Sequence, residues 1–371
     1  MAGIYLHIPF CLSKCAYCGF YSVPSLKRKA ELLEALKQEM VLRKDYLHGE
    51  TIGTIYFGGG TPSLLKVEEI GELLNWVMER FEMEPDPEIT LEANPDTLSL
   101  EYLNGLRLLG VNRLSVGIQS FFDNDLKYLN RRHNSKHALQ CIQWAKEAGF
   151  NNLNIDLIYG LPTSDAAQWS QNLDCFLELD IPHLSAYALT LEPNSILTKQ
   201  IEQGKALPVN EEDAVRDYNI LCQKMAQTGY LHYEISNFCR PRWTSRHNTS
   251  YWFGAPYLGL GPSAHSYDGH SRQWNASSLE KYVCGMQNTE SETLSPEQQY
   301  DEYVMLRLRT MWGIDLKYIK REMGERFANH CERQAEPLVA QGRLSRTREF
   351  LYLTDKQMLF ADGIAEALFW S

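Results

Sequence analysis

Ile4-Tyr5-Leu6-His7-Ile8-Pro9-Phe10-Cys11-Leu12-Ser13-Lys14-Cys15-Ala16-Tyr17-Cys18 runs a short strand into a loop of three cysteines. Successive side chains of a strand point to opposite faces, so Tyr5 and His7 share one face and Ile4, Leu6 and Ile8 share the other. The cysteines follow with C-x3-C-x2-C spacing and no fourth cysteine close by. A structural zinc site closes on four ligands, and a ferredoxin-type [4Fe–4S] cluster takes four thiolates. Three thiolates on one tight loop can hold three irons of a cubane and leave the fourth open, and an open position is what a catalytic metal keeps for its substrate. Zinc, or three unrelated buried thiols, is the competing reading.

The two-faced strand recurs. The pattern predicts strands over 4–9, 54–57, 88–94, 113–119, 152–158 and 183–190, separated by helix-period segments over 26–48, 67–81, 100–109, 135–148 and 166–179. Alternation of this kind argues for a parallel sheet, and spacings of roughly 20–50 residues suit the βα units of a TIM-like barrel or partial barrel. Parallel strands covered on both sides normally read as continuous apolar runs. Here Thr90, Glu92 and Asn94 oppose Ile89, Leu91 and Ala93, and Asn152, Asn154 and Asp156 oppose Leu153, Ile155 and Leu157. The apolar face then packs on the helices, and the polar face lines a lumen built for a polar ligand. An antiparallel sheet with one wet face would read similarly, but the intervening helices oppose it. Further on, a helix is expected over 209–228, a strand over 230–238 and an irregular lining over 240–273. Helices over 297–310, 316–323 and 331–341, then strands near 344–345 and 351–353, make a winged-helix-like module. The expected class is α/β, a partial (β/α)6 TIM-like barrel over 1–205, a barrel extension and substrate cover over 206–290, and a smaller α+β winged-helix-like domain over 291–371.

The chain has 371 residues, 44% of them hydrophobic, enough for a sizeable core in two domains or a barrel with a module. A net charge of −11 argues against nucleic-acid partners, which want a basic face. Nine cysteines without paired spacing read as reduced thiols, so a cytoplasmic setting is expected. Strand-like residues from position 4 leave no room for a signal peptide, and no apolar run is long enough for a membrane span.

Gly58-Gly59-Gly60-Thr61-Pro62-Ser63 follows the second strand. Glycines let backbone approach a ligand closely. It lacks the lysine of a phosphate-binding loop, and a plain tight turn is the other reading. Glu92, Gln119 and Asp156 fall near the C-terminal ends of polar strand faces, the functional end of a βα barrel. Arg131 follows the fourth strand and can pair with a carboxylate in a bidentate fork. In His247-Asn248-Thr249-Ser250-Tyr251-Trp252 the histidine is either a haem or metal ligand or a structural brace, with Tyr251 and Trp252 able to stack on a planar ring. Gly259 to Ser266 is expected to fold over the same cavity.

Taken in order, the three-cysteine loop, the glycine run, Glu92-Ala93-Asn94-Pro95, Gly117 to Phe121, Asn154 to Leu157 and His247 to Trp252 resemble the radical-SAM superfamily. Within it the chain is similar to the oxygen-independent coproporphyrinogen oxidase-like group, and most to its haem chaperone HemW branch. The resemblance covers nearly the whole chain. It implies that Cys11, Cys15 and Cys18 ligate a [4Fe–4S] cluster, and that Tyr5, Gly59, Gly60, Thr61, Glu92, Gln119, Arg131 and Asp156 contact S-adenosylmethionine. It implies haem as cargo and acceptor haemoproteins as partners, with peripheral contact to membrane enzymes left open. The competing functions are coproporphyrinogen III decarboxylation and, disfavoured by charge, RNA modification. The oxidase carries one more cysteine where this chain has Phe20, and an N-terminal extension that is not expected here; both departures imply that oxidase activity is absent.

Overall fold

The computed structural model describes residues 1–193, 195–285 and 289–370; positions 194, 286–288 and 371 of the expected domains lie outside the described residues. Strands β1 (Ala2–Ile8), β2 (Ile52–Gly59), β3 (Met83–Ala93), β4 (Arg113–Gln119), β5 (Asn152–Tyr159) and β6 (His183–Ala188) pair in parallel, each with the next. The crossovers carry the helices Lys29–Leu42, Val67–Met78, Leu100–Leu108, Ser135–Glu147 and Ala166–Glu178. Side-chain caps fix three of their starts: Ser99 accepts from Tyr102 N, Asn134 from His137 N and Asp165 from Gln168 N. The first helix ends earlier than the periodicity predicts, because the chain leaves it through turns that put His48 and Gly49 at φ 51° and 80°. β3 begins earlier than expected, where Met83 pairs with Ile52 before the register shifts.

Strand parity decides the layers. Ile4, Leu6, Leu91, Leu114, Val116, Ile155 and Leu157 are fully buried and share one core with Leu32, Leu36, Leu73, Leu103, Ile142 and Leu173 of the helices. The opposite faces form a polar network. Asn154 Nδ2 donates to Ser115 Oγ at 2.8 Å, Asp156 Oδ1 at 2.7 Å and Ser185 Oγ at 2.9 Å, and its Oδ1 meets His183 Nδ1 at 2.6 Å. Burying a branched side chain is worth about 1.5–3 kcal/mol, whereas a buried polar group only offsets its desolvation by finding partners. The helix-facing side therefore carries the stability, and the lumen side is kept polar at some cost.

The sheet extends beyond the barrel at both edges. β7 (Leu231–Glu234) and β8 (Asn237–Cys239) form a hairpin that lies antiparallel to β6, where the sequence predicted one strand. β9 (Tyr257–Leu260) runs parallel to β1 and is followed by antiparallel β10 (His265–Tyr267), β11 (Ser271–Asn275) and β12 (Thr289–Thr293). The expectation of an irregular 240–273 is thus corrected: it holds a helix, Arg246–Trp252, and three strands. Its glycines mask the strand pattern because they serve close approach; a Cβ at Gly259 would run into the carbonyl of His265. Tyr218, Leu221, Tyr230, Phe238, Leu258, Leu260 and Tyr282 join the barrel's core.

A second core, around Tyr300, Val304, Phe327, Leu351 and Ile364, holds the C-terminal module. Helices Pro296–Leu308 and Glu325–Ala340 pack with a small sheet of β13 (Ile314–Asp315), β14 (Ser345–Arg346) and β15 (Phe350–Tyr352) in the order β13-β15-β14. The long helix starts directly after Gly324, at φ 106°, rather than near 331. The module docks on the β7–β8 hairpin through Ile235 N to Arg309 O at 3.1 Å, Met311 N to Tyr233 O at 3.0 Å and His232 to Asp355 at 2.9 Å.

Candidate functional site

The cysteine loop leaves the end of β1 and is clamped by the glycine run at the end of β2. Gly60 N donates to Ile8 O at 2.8 Å and Thr61 N to Phe10 O at 2.7 Å. Any side chain at Gly60 would sit 2.7–2.8 Å from the backbone atoms of Phe10, Pro9 and Ile8, so only glycine permits this approach. Cys11, Cys15 and Cys18 are free and partly exposed. Thr61 Oγ1 lies 3.6 Å from Cys11 Sγ, and Arg131 Nη1 donates to Cys15 Sγ at 3.1 Å. Burial pushes the Cys11 and Cys18 thiols up from their ordinary range. Among the described residues no three His, Cys, Asp or Glu side chains close on a single-ion point. The three thiols stand on one loop, and a cubane would take one at each of three corners.

Three of the five Arg131 N–H donors are engaged inside the protein: Nη2 donates to Asn94 Oδ1 and to Gly117 O, both at 2.7 Å, and Nη1 to Cys15 Sγ. Arg131 therefore ties the cysteine loop to the ends of β3 and β4.

The other expected residues gather at the same end of the barrel. Glu92 accepts from Tyr56 Oη at 2.8 Å and from Gly59 N at 3.1 Å. Burial, reinforced by the neighbouring Asp156, pushes its carboxyl up to about 7 against these two hydrogen bonds. Asp156 accepts from Asn154 at 2.7 Å and Ser115 at 3.4 Å, and burial raises it as well. Gln119 ends β4 at φ 68°, where the register with β5 shifts, and its amide lies over Gly117 beside Arg131 and Asn94. Tyr5 stacks on Tyr56 with ring centroids 6.0 Å apart, and its hydroxyl meets His7 Nδ1 at 3.1 Å.

His247 is 1% exposed, inside the barrel behind Tyr5 and Tyr56. Its Nδ1 meets Thr54 Oγ1 at 2.7 Å and its Nε2 meets Tyr251 Oη at 2.7 Å, so neither ring nitrogen is free to bind iron. Glu88 accepts from the backbone N–H groups of Arg246 and His247 and anchors their short helix. Of the two readings of this motif, the arrangement is that of a brace, and it holds Tyr251 by its hydroxyl with Trp252 beside it. Both aromatics line a cavity of about 750 Å³ between the barrel mouth and the C-terminal module. Phe20, Tyr257, Tyr267, Arg272, Tyr303 and Tyr318 line it too.

A model of the radical SAM superfamily matches residues 5–174, and one of the HemN C-terminal domain matches 294–360. The haem chaperone HemW of Mycobacterium tuberculosis is 33% identical over 375 residues, covering 99% of this chain and 94% of that protein. The chain belongs to the HemW family. The Bacillus subtilis HemW is 33% identical over 98% of both chains. A solved structure of coproporphyrinogen III oxidase (HemN) from Escherichia coli, described as a radical SAM enzyme, superposes with a TM-score of 0.83 at 26% identity, over 99% of this chain and 89% of that one.

Two features of this HemW-family site escaped the sequence. Asn94, which also donates to Thr61 Oγ1 at 3.1 Å, ties Arg131 to the glycine run; its place two residues after Glu92, at the exit of β3, was the available signal. Tyr303 and Tyr318 carry no motif, and they reach the groove only when the C-terminal module docks.

Proposed function

We propose that this chain binds haem and passes it to acceptor haemoproteins, as the names of its relatives describe for them. The observation that carries the reading is the aromatic groove beside the cysteine loop. Its volume, about 750 Å³, lies within the ~300–1,000 Å³ of ligand pockets, and its rings offer flat apolar faces to a macrocycle. Radical-SAM proteins in general carry a [4Fe–4S] cluster and S-adenosylmethionine; the open iron holds the cofactor and an electron from the cluster can cleave its sulfonium. In this chain Cys11, Cys15 and Cys18 would hold the cluster, and Tyr5, Gly59, Gly60, Thr61, Glu92, Gln119, Arg131 and Asp156 would receive the cofactor, with Arg131 also fixing the loop. Residues 1–205 act as the cofactor barrel, 206–290 complete the groove, and 291–371 close its far wall. No described helix is long and apolar enough to cross a membrane.

Phe20, 70% exposed on the groove, can neither ligate metal nor donate a proton, which weighs against oxidase chemistry. The deciding experiment supplies the anaerobically reconstituted chain with S-adenosylmethionine, reductant and coproporphyrinogen III, and in parallel with haemin and an apo-haemoprotein. Haem should bind and move to the acceptor, and no protoporphyrinogen IX should form. Turnover of coproporphyrinogen without haem binding would reverse the assignment.

Glu92 gives the cofactor site a pH dependence. A carboxyl held near 7 is mostly protonated at pH 6 and mostly ionised at pH 8. Only the ionised form attracts a cationic ligand, so S-adenosylmethionine affinity should rise about tenfold between those values. Calorimetry at both pH values checks this, with Glu92→Gln expected to flatten the dependence. A wild-type affinity independent of pH would place the cofactor away from Glu92.

A further inference from the structure

We propose that His265 is the axial ligand of haem iron in this groove and that Arg272 pairs with a haem carboxylate. The inference rests on the haem-binding reading above and specifies where the cargo sits.

Three histidines lie in or behind the groove wall. The ring nitrogens of His7 are engaged by Tyr5 Oη at 3.1 Å and Tyr21 O at 3.3 Å. Those of His247 are engaged by Thr54 and Tyr251. His265 is exposed into the cavity, its ring lies 6.0 Å from that of Trp274 at 22°, and among the described residues its nitrogens have no hydrogen-bond partner. It is the groove histidine with a lone pair to give. Burial, with Arg272 nearby, lowers its basicity, so the ring is neutral and competent as a ligand near pH 7.

The hairpin face around it is built rather than incidental. His265 and Tyr267 are two residues apart on β10 and so share a face. Across the strands His265 pairs with Trp274 and Tyr267 with Arg272, while Tyr267 pairs with Tyr257 on the other side. Directly opposed residues are each other's nearest side-chain neighbours on a sheet face, so this face sets one imidazole, two tyrosines and one guanidinium together. Trp274 holds the imidazole plane. Arg272 Nη2 pairs with Glu302 at 2.9 Å, but its Nε is buried with no partner. The Arg272 side chain is nonetheless 36% exposed and lines the cavity, so a ligand carboxylate can share its guanidinium with Glu302. A macrocycle whose iron meets His265 would lie among Tyr251, Tyr257 and Trp252, close to Phe20 of the cysteine loop.

The test titrates haemin, and separately metal-free protoporphyrin IX, into the cluster-loaded full chain, reading difference absorption spectra and low-temperature electron paramagnetic resonance. His265→Ala should remove the nitrogen-ligand signature and weaken haemin binding at least tenfold, with metal-free protoporphyrin bound within twofold of wild type. Added imidazole should restore the signature, which a merely structural role would not allow. Arg272→Gln should weaken both porphyrins without changing the iron spectrum, and should not affect the dimethyl ester. Iron content and S-adenosylmethionine affinity of both variants should match wild type, showing the fold intact. Haemin bound by His265→Ala with wild-type spectrum and affinity would overturn this inference and leave the chaperone reading standing. Failure of wild type to bind haemin would overturn both.

Discussion

Cys15→Ala is expected to abolish the iron–sulfur chromophore and to leave the fold in place. Wild type reconstituted without oxygen should hold about four iron and four sulfide per chain, the content of one cubane. Three thiolates leave one of four irons open, so losing any one leaves a second corner without its ligand. Cys15 is also the thiol that Arg131 faces at 3.1 Å. The variant therefore loses the ligand, and the Arg131 clamp loses the sulfur it bonds. The loop contributes little apolar core, so circular dichroism and the unfolding midpoint should move little. Cys284→Ala, at an exposed free cysteine, should keep full iron content. Stoichiometric zinc without a visible chromophore in wild type would sink the cluster assignment.

Gly60→Ala should damage the cysteine-loop clamp directly. The added carbon would meet the carbonyl oxygens of Phe10 and Ile8 and the carbonyl carbon of Pro9 at 2.7–2.8 Å. These are backbone atoms of β1 and its exit, and they cannot swing aside as a flexible side chain can. Overpacking of this kind costs about 1–3 kcal/mol. The functional loss should be larger than the stability loss, because the displaced hydrogen bonds, Gly60 N to Ile8 O and Thr61 N to Phe10 O, set the cysteine loop against Thr61. Chemical denaturation and iron analysis check the two effects separately. Gly363→Ala is the control, since nothing lies within 4 Å of its added carbon. Equal iron retention in the two variants would show that the clamp does not position the loop.

The barrel was legible because its evidence is local. Period-2 strands and period-3.6 helices act over a few positions, so the order of the six strands and five helices could be read directly. The parity of Glu92 and Asp156 placed both on the lumen face, and the glycine run and three cysteines announced themselves by spacing. Residues 240–273 misled because glycine and aromatic positions there answer to β1 and to neighbouring hairpins, not to their own sequence neighbours. Arg131 shows the same limit. Its chemistry, a charged fork, was plain, but its partners Cys15, Asn94 and Gly117 come from three separate loops and strand ends.

The sequence alone thus determined the alternation of strands and helices, the polar lumen and the donor set of the cysteine loop, each of which depends on residues close together in the chain. Only the tertiary structure decided that His247 is sealed behind Tyr251 while His265 stands free in the groove. Both are histidines flanked by aromatics in a glycine-rich stretch. Whether an imidazole can accept a ligand depends on which hydrogen-bond partners reach its two nitrogens, and those partners, Thr54 and Tyr251 for His247, are brought there by packing.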